Sequence, residues 1–281
     1  MLLKKIRRSK RGVSNIISTL LITALMISSI AITYTYIMPT IEKAQLRSTI
    51  TSSSLFLTKL DSSIQNMLYE GVGSARKMSI DAHTGDLEFL TIGLNVRAYI
   101  DGSMYLPLPS LNYGLARMTI LSDASIMSTG TFDYIKGDLY YPMAVTDVGS
   151  NDPGMILLER ASSDSYELKL WYRLLLNVQD TGNGGTIDVS LVVIQFNATE
   201  IVKGLSRTNY ELKITKSHVD VNPSIYGFSN GDPITTSGND FAISADRGYG
   251  PYYIYYSSGP RSNINFNLVL INYDFEVLEV T

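Results

Sequence analysis

Residues 10–38 read KRGVSNIISTLLITALMISSIAITYTYIM, and this stretch decides the architecture. Val13–Met38 is a run of 26 residues without a charge. As a helix it spans about 39 Å at ~1.5 Å per residue, more than a ~30 Å hydrocarbon core requires. Upstream, Lys4, Lys5, Arg7, Arg8, Lys10 and Arg11 fall within residues 1–12, which hold no acid. Such a basic flank keeps the N-terminus in the cytoplasm and sends everything after Met38 outside. Tyr34 and Tyr36 stand at the outer end, where an aromatic belt is expected. Pro39 follows and marks a kink or the exit of the helix.

Three readings of this segment compete. A cleaved secretory signal has an apolar region of roughly 7–15 residues and a small-residue cleavage site; this run is longer, and no Ala-x-Ala follows Met38. A plain membrane anchor fits the length. The third reading turns on Lys10-Arg11-Gly12, directly before the apolar run: a cut after Gly12 removes the basic leader and makes the apolar helix the new N-terminus. Here the sequence resembles archaeal type IV pilins, whose class III signal peptide ends basic–Gly before a hydrophobic helix that commonly opens Val-Ser-x-x-Ile. Arg11-Gly12-Val13-Ser14-Asn15-Ile16-Ile17 matches that opening. Bacterial pilins carry Glu as the fifth mature residue; Ile17 stands there, which favours the archaeal variety. The resemblance implies a prepilin peptidase acting at Lys10, Arg11, Gly12 and Val13. It also implies assembly with copies of itself or other pilins through the helix, and an assembly ATPase and platform protein as indirect partners.

Eight Ser or Thr residues lie in Val13–Met38, Ser14, Ser18, Thr19, Ser28 and Ser29 among them. These five are the candidates for close helix–helix approach; bonding back to their own helix is the competing explanation. Beyond Pro39, Leu46, Ile50, Leu57, Leu60, Ile64 and Leu68 form an amphipathic stripe with one gap at Ser53/Ser54. The expected division is a leader over 1–12, a transmembrane or filament-core helix over 13–38, its amphipathic continuation over 39–72 and a β-rich outer domain over 73–281. Gly71 is the expected C-cap, and the Ser/Thr-rich 49–58 a place for a break.

From Arg76 onward period-two alternation dominates, as in 90–100 on even positions and in 166–178 through Tyr166, Leu168, Leu170, Tyr172, Leu174 and Leu176. A Gly-rich turn at 180–186 joins this second run to Ile187–Phe196 in a hairpin. Apolar parity slips near Val193 and again between Leu270 and Ile271, which points to a bulge or a change of packing partner. The fold class is α+β: a long N-terminal helix followed by a mainly antiparallel β-sandwich-like domain, either one sandwich or two subdomains meeting near 150. A weaker resemblance, to uncharacterised archaeal pilin-like surface proteins, rests on Gly73-Ser74-Ala75-Arg76 and Gly85-Asp86 and implies no activity.

The chain has no Cys and two His, so thiolate metal sites, disulfides and a Cys nucleophile are excluded. No phosphate-loop, nucleophile-elbow or zincin signature occurs. Asp180, Asn183 and Asp188 around the Gly-rich turn offer oxygen ligands of the kind Ca²⁺ takes, but turn chemistry alone accounts for them, as it does for His83 and His218 with their acidic neighbours. No catalysis, cofactor or metal is expected. Cleavage after Gly12 leaves 17 basic against 26 acidic residues, a net of −9, unsuited to nucleic acid. Tyr249, Tyr252, Tyr253, Tyr255 and Tyr256 form an aromatic cluster that either fills the core or contacts a partner. Asn197-Ala198-Thr199 is the one open glycosylation sequon. The expected function is a major or minor subunit of an archaeal surface filament with an outer domain for adhesion. The rival is a monomeric, single-pass, membrane-anchored module that binds glycans or envelope proteins.

Overall fold

The computed structural model of the chain describes residues 2–80, 85–137, 144–146, 153–180, 185–197, 201–202, 209–229, 231–238, 240–246, 251–257 and 263–280. It divides into two compact units, Met1–Ser48 with Ala124–Ile126, and Thr49–Asp123 with Met127–Thr281. Helix α1 runs Leu2–Ile32, a π-turn occupies Thr33–Ile37, and α2 runs Met38–Leu68. Pro39 therefore does not end the helix. A proline lacks the N–H and its ring collides with the carbonyl four residues earlier, here that of Thr35. The wider π-turn directly before it gives that carbonyl room. Threonine hydroxyls serve neighbouring backbone carbonyls: Thr35 donates to Ala31 at 2.8 Å and Thr40 to Tyr36 at 3.1 Å.

No break appears at 49–58. Hydroxyls there bond back into the helix, Ser52 to the Thr49 carbonyl at 2.9 Å and Thr58 to that of Ser54 at 2.8 Å. The buried stripe of α2 is more regular than the apolar letters suggest: Leu46, Ile50, Ser53, Leu57, Leu60, Ile64 and Met67 alternate steps of four and three. Ser53 fills the gap in the apolar pattern. The helix stops at Leu68, short of 72, and Gly73 rather than Gly71 takes the left-handed conformation, at φ 91°.

Fifteen strands follow among the described residues. They are β1 (Ala75–Ser79), β2 (Asp86–Ile100), β3 (Ser103–Leu121), β4 (Phe132–Lys136), β5 (Ala144–Thr146), β6 (Gly154–Glu159), β7 (Ser165–Tyr172), β8 (Leu174–Asp180), β9 (Thr186–Asn197), β10 (Ile201–Val202), β11 (Asn209–Val221), β12 (Ile234–Thr236), β13 (Asp240–Asp246), β14 (Pro251–Ser257) and β15 (Asn263–Val280). One sheet orders β1-β11-β15-β9-β8-β5, with β12 also on β15; the other orders β14-β13-β2-β3-β7-β6-β4, with β10 also on β2. Pairing is antiparallel except β15 with β9 and β5 with β8. Strands from both sides of residue 150 share each sheet. Between the sheets Leu94, Val96, Leu108, Leu111, Phe241 and Ile243 of one meet Leu176, Val189, Leu191, Phe266 and Leu268 of the other in a single apolar cluster.

The expected strand over 166–178 is two strands. The chain leaves one sheet after Tyr172 and enters the other at Leu174, turning at the buried Arg173, whose N–H donates to the Pro153 carbonyl at 2.9 Å. Alternation runs unbroken through this corner because both arms point their even residues inward, so periodicity alone does not reveal it.

The parity slips have a common cause. Buried positions in β9 pass from Val193 to Ile194 and Phe196, and in β15 from Leu270 to Ile271, Tyr273 and Phe275. Leu270 pairs with Val193 and Ile271 with Ile194 in unbroken register, so no bulge separates these two strands; on its other side β15 faces a register shift in β11 between Lys216 and His218, opposite Tyr273 and Asn272. In β2 the buried residues are Leu87 and Phe89 first, then Leu94, Val96, Ala98 and Ile100; from residue 90 onward the even positions are the more buried, as expected, with Leu90 and Ile92 only half-buried at the switch. β3 changes at Tyr113 and Gly114, which face Ile92 and Thr91. On one side of this level the long strands pack on the sandwich core. On the other they meet an aromatic group: Phe89 stacks on Phe275 at 4.0 Å between ring centres, and Phe196 stands edge-on to Phe275 and to Tyr172. A side chain at Gly114 would stand 2.4 Å from the Phe196 ring, so only glycine fits.

Candidate functional site

The apolar helix is the first candidate. Every residue from 15 to 45 is exposed, and Ile16, Leu20, Leu25, Ile27 and Ile30 each keep more than half of their surface open. The stretch beginning at Asn15 is the one helix among the described residues long and apolar enough to cross a membrane. Lys10, Arg11, Gly12, Val13 and Ser14 lie in the same helix. Ser18, Thr19, Ser28 and Ser29 are exposed. Thr19 bonds back to the Asn15 carbonyl at 2.9 Å and Thr23 to that of Thr19 at 2.9 Å. These bonds keep the hydroxyls compatible with an apolar medium.

The second candidate is the attachment of α2 to the sheets, which sequence reading missed. Asp61 has no exposed surface. Its carboxylate accepts from the Tyr172 hydroxyl at 2.8 Å, from the Gln65 amide at 2.9 Å and from the Lys136 ammonium, its ion-pair partner. One turn on, Tyr273 donates to the Ile64 carbonyl at 3.3 Å. The buried Lys216 ammonium then reaches the end of the helix, donating to the carbonyls of Met67 at 3.2 Å, Leu68 at 2.9 Å and Glu70 at 2.7 Å. It satisfies the carbonyls a helix end leaves open, and its charge complements the helix dipole. Burial lowers the Lys216 pKa, with the Glu70 charge opposing. The helix is thus tied to β4 and β7 of one sheet and to β11 and β15 of the other.

The third candidate is a cleft at the level where the long strands change faces. It has a volume of about 520 Å³ and is lined by Thr91 (β2), Asn112 (β3), Gln195, Phe196 and Asn197 (β9), and Asp274 and Phe275 (β15). Its polar groups are ordered by three hydrogen bonds: Thr91 hydroxyl to the Phe196 carbonyl at 2.6 Å, Gln195 amide to the Asn112 carbonyl at 2.8 Å, and Asn197 amide to the Asp274 carboxylate at 2.9 Å. Asn197, the sequon asparagine, is therefore an exposed residue on the rim; Ala198 and Thr199 lie outside the described residues. The chain matches no family model, no curated protein and no solved structure.

Among the remaining sequence candidates, Tyr252, Tyr253, Tyr255 and Tyr256 lie on β14, an edge strand paired only with β13 among the described residues; Tyr249 lies outside them. His218 is exposed and bonded to Asp220 at 2.7 Å. His83 and Asn183 fall outside the described residues. Asp188 accepts from Asn265 across the β9–β15 pair at 2.8 Å. No group of three His, Cys, Asp or Glu suited to a metal occurs among the described residues.

Proposed function

We propose that this chain is a pilin-like structural subunit of an archaeal surface filament. It is made as a membrane precursor, cut by a prepilin peptidase between Gly12 and Val13, and packed through its apolar helix against copies of itself or related subunits. The observation that carries this reading is the contrast along one helix. Residues 15–45 are exposed all round and largely apolar, whereas the stripe from Leu46 to Met67 is buried. A surface apolar on every side needs lipid or other helices around it. In a filament, burial of the Leu, Ile and Met side chains of Val13–Met38 at ~1.5–3 kcal/mol each holds the subunit. The outer domain faces solvent and serves adhesion or surface contact.

The testing experiment is the intact mass of the mature protein. It starts at Val13, and Gly12→Trp leaves a heavier, membrane-retained precursor. A mass starting at residue 1, or anywhere beyond Met38, overturns the reading. A second reading, a monomeric membrane-anchored binding module, is favoured by the polar cleft beside Asn197. Recovery of the native protein only as detergent-extracted monomers, never in filaments, selects it.

A further inference from the structure

The cleft at the face-switch level has a hydrogen-bonding polarity that follows from chemistry rather than from atom assignment. Phe196 and Asn112 offer backbone carbonyls, and Asp274 offers a carboxylate; all three accept only. The hydroxyl of Thr91 and the amide nitrogens of Gln195 and Asn197 must therefore be the donors in these bonds. Those donations leave the Thr91 hydroxyl lone pairs, the two amide oxygens and the second Asp274 oxygen as acceptors, and the second N–H of each amide as a donor. The cleft thus suits a ligand that both donates and accepts, as hydroxyl groups do. Among the described residues no Lys or Arg lines it, so none of them offers an anion a counter-charge. Its volume of about 520 Å³ far exceeds that of a bare ion. The exposed Asn112 amide adds a further polar group at the rim. The lining residues sit on paired strands, so little ordering is needed on binding.

We propose that this cleft binds a neutral oligosaccharide, whose hydroxyls donate to Asp274, Gln195, Asn197 and Thr91. The inference deepens the adhesion part of the filament reading and is independent of its processing step.

The experiment uses the full chain, produced in a host that carries a prepilin peptidase but no N-glycosylation machinery, in a detergent without a sugar headgroup. Intact mass reports both the N-terminus and an unmodified Asn197. Saturation-transfer NMR is then run with maltotriose, mannotriose and triacetylchitotriose. At least one sugar binds with a millimolar or tighter Kd, and Asp274→Ala and Gln195→Ala each weaken it about tenfold while thermal unfolding is unchanged. Thr91→Val serves as a third probe of the same rim. No transfer from any sugar at about 10 mM, binding that survives all three substitutions, or occupation by calcium or a lysine-rich peptide in place of sugar overturns the inference. A Val13 start without sugar binding removes this inference alone; a residue-1 start with sugar binding removes the filament reading alone.

Discussion

Asp61 concentrates more of the structure's chemistry than any other residue of α2. Three donors converge on a carboxylate with no exposed surface, so deleting it removes a buried acceptor from a lysine, a tyrosine and an amide at once. Asp61→Ala is expected to cost about 3–5 kcal/mol, the loss typical of breaking a buried ion pair from one side, measured by denaturant unfolding in detergent. A Cβ placed on Gly154 would lie 2.1 Å from Asp61 Oδ1. Gly154→Ala alone therefore costs ~1–3 kcal/mol, and much less in the Asp61→Ala background, because the two residues share one conflict. Tyr273 supplies a pH effect. Burial holds its hydroxyl neutral well above the ordinary 10.0, and Tyr226 shifts the same way. Below pH 10 both states keep the proton and the stabilisation is complete; above it the unfolded chain ionises first and stability falls. Lys216 acts in the opposite direction, since its folded pKa is lowered. Comparison of Tyr273→Phe with the unaltered chain isolates the tyrosine: the melting temperature of the variant declines less steeply above pH 10. None of this was legible in the sequence. Asp61 follows Leu60 on the edge of the stripe, but its partners Lys136 and Tyr172 lie 75 and 111 residues away, and one chain gives no pairing signal over that distance.

Among the elements, α2 is where letter and structure differ most usefully. Ser53 interrupts the apolar series, yet it occupies a core position with no exposed surface, and its hydroxyl has no hydrogen-bond partner among the described residues. Ser53→Ala is expected to raise stability by about 1 kcal/mol by removing an unsatisfied polar atom. Ser53→Leu is expected to lower it by ~1–3 kcal/mol through overpacking; thermal melts of the two variants decide both signs. The strands show the reverse. The slips in β9 and β15 were visible as consecutive apolar residues, Val193-Ile194 and Leu270-Ile271, and their cause is the change of packing partner. The same event in β2 was hidden, because Phe89, Leu90 and Ile92 are all apolar and only burial separates them. The corner at Arg173 was hidden by alternation that does not pause.

For the molecule as a whole, the sequence disclosed the long helix, the β-sandwich and the hairpin at 180–186. It did not disclose the cleft, which exists only because four strands change faces at one level. The exposed helix yields the assembly prediction. If Val13–Met38 is only an anchor, its shape matters little. If it is a filament core, Ser18→Leu with Ser28→Leu still allows insertion, since Leu is favourable in a bilayer, but fills the small-residue surface that close packing uses. The expected outcome is normal processing at Gly12 with few or no filaments by electron microscopy, because ~1–3 kcal/mol per site recurs at every subunit. Normal filaments from the double variant place these serines away from the interface.

The lysine that finishes α2 has a consequence in time. Lys216 and Tyr273 are made 149 and 209 residues after the carbonyls of Met67 and Ile64 that they hold. A ribosome therefore delivers the helix, with its apolar stripe and its buried acid, long before the strands that receive it. Through that interval the nascent chain carries a half-finished docking surface beside an exposed apolar helix. Its survival depends on handling by whatever machinery escorts it, and on how quickly β11 and β15 arrive. Synonymous codon changes that slow translation between residues 70 and 273 would lengthen that interval without altering a single atom of the folded product.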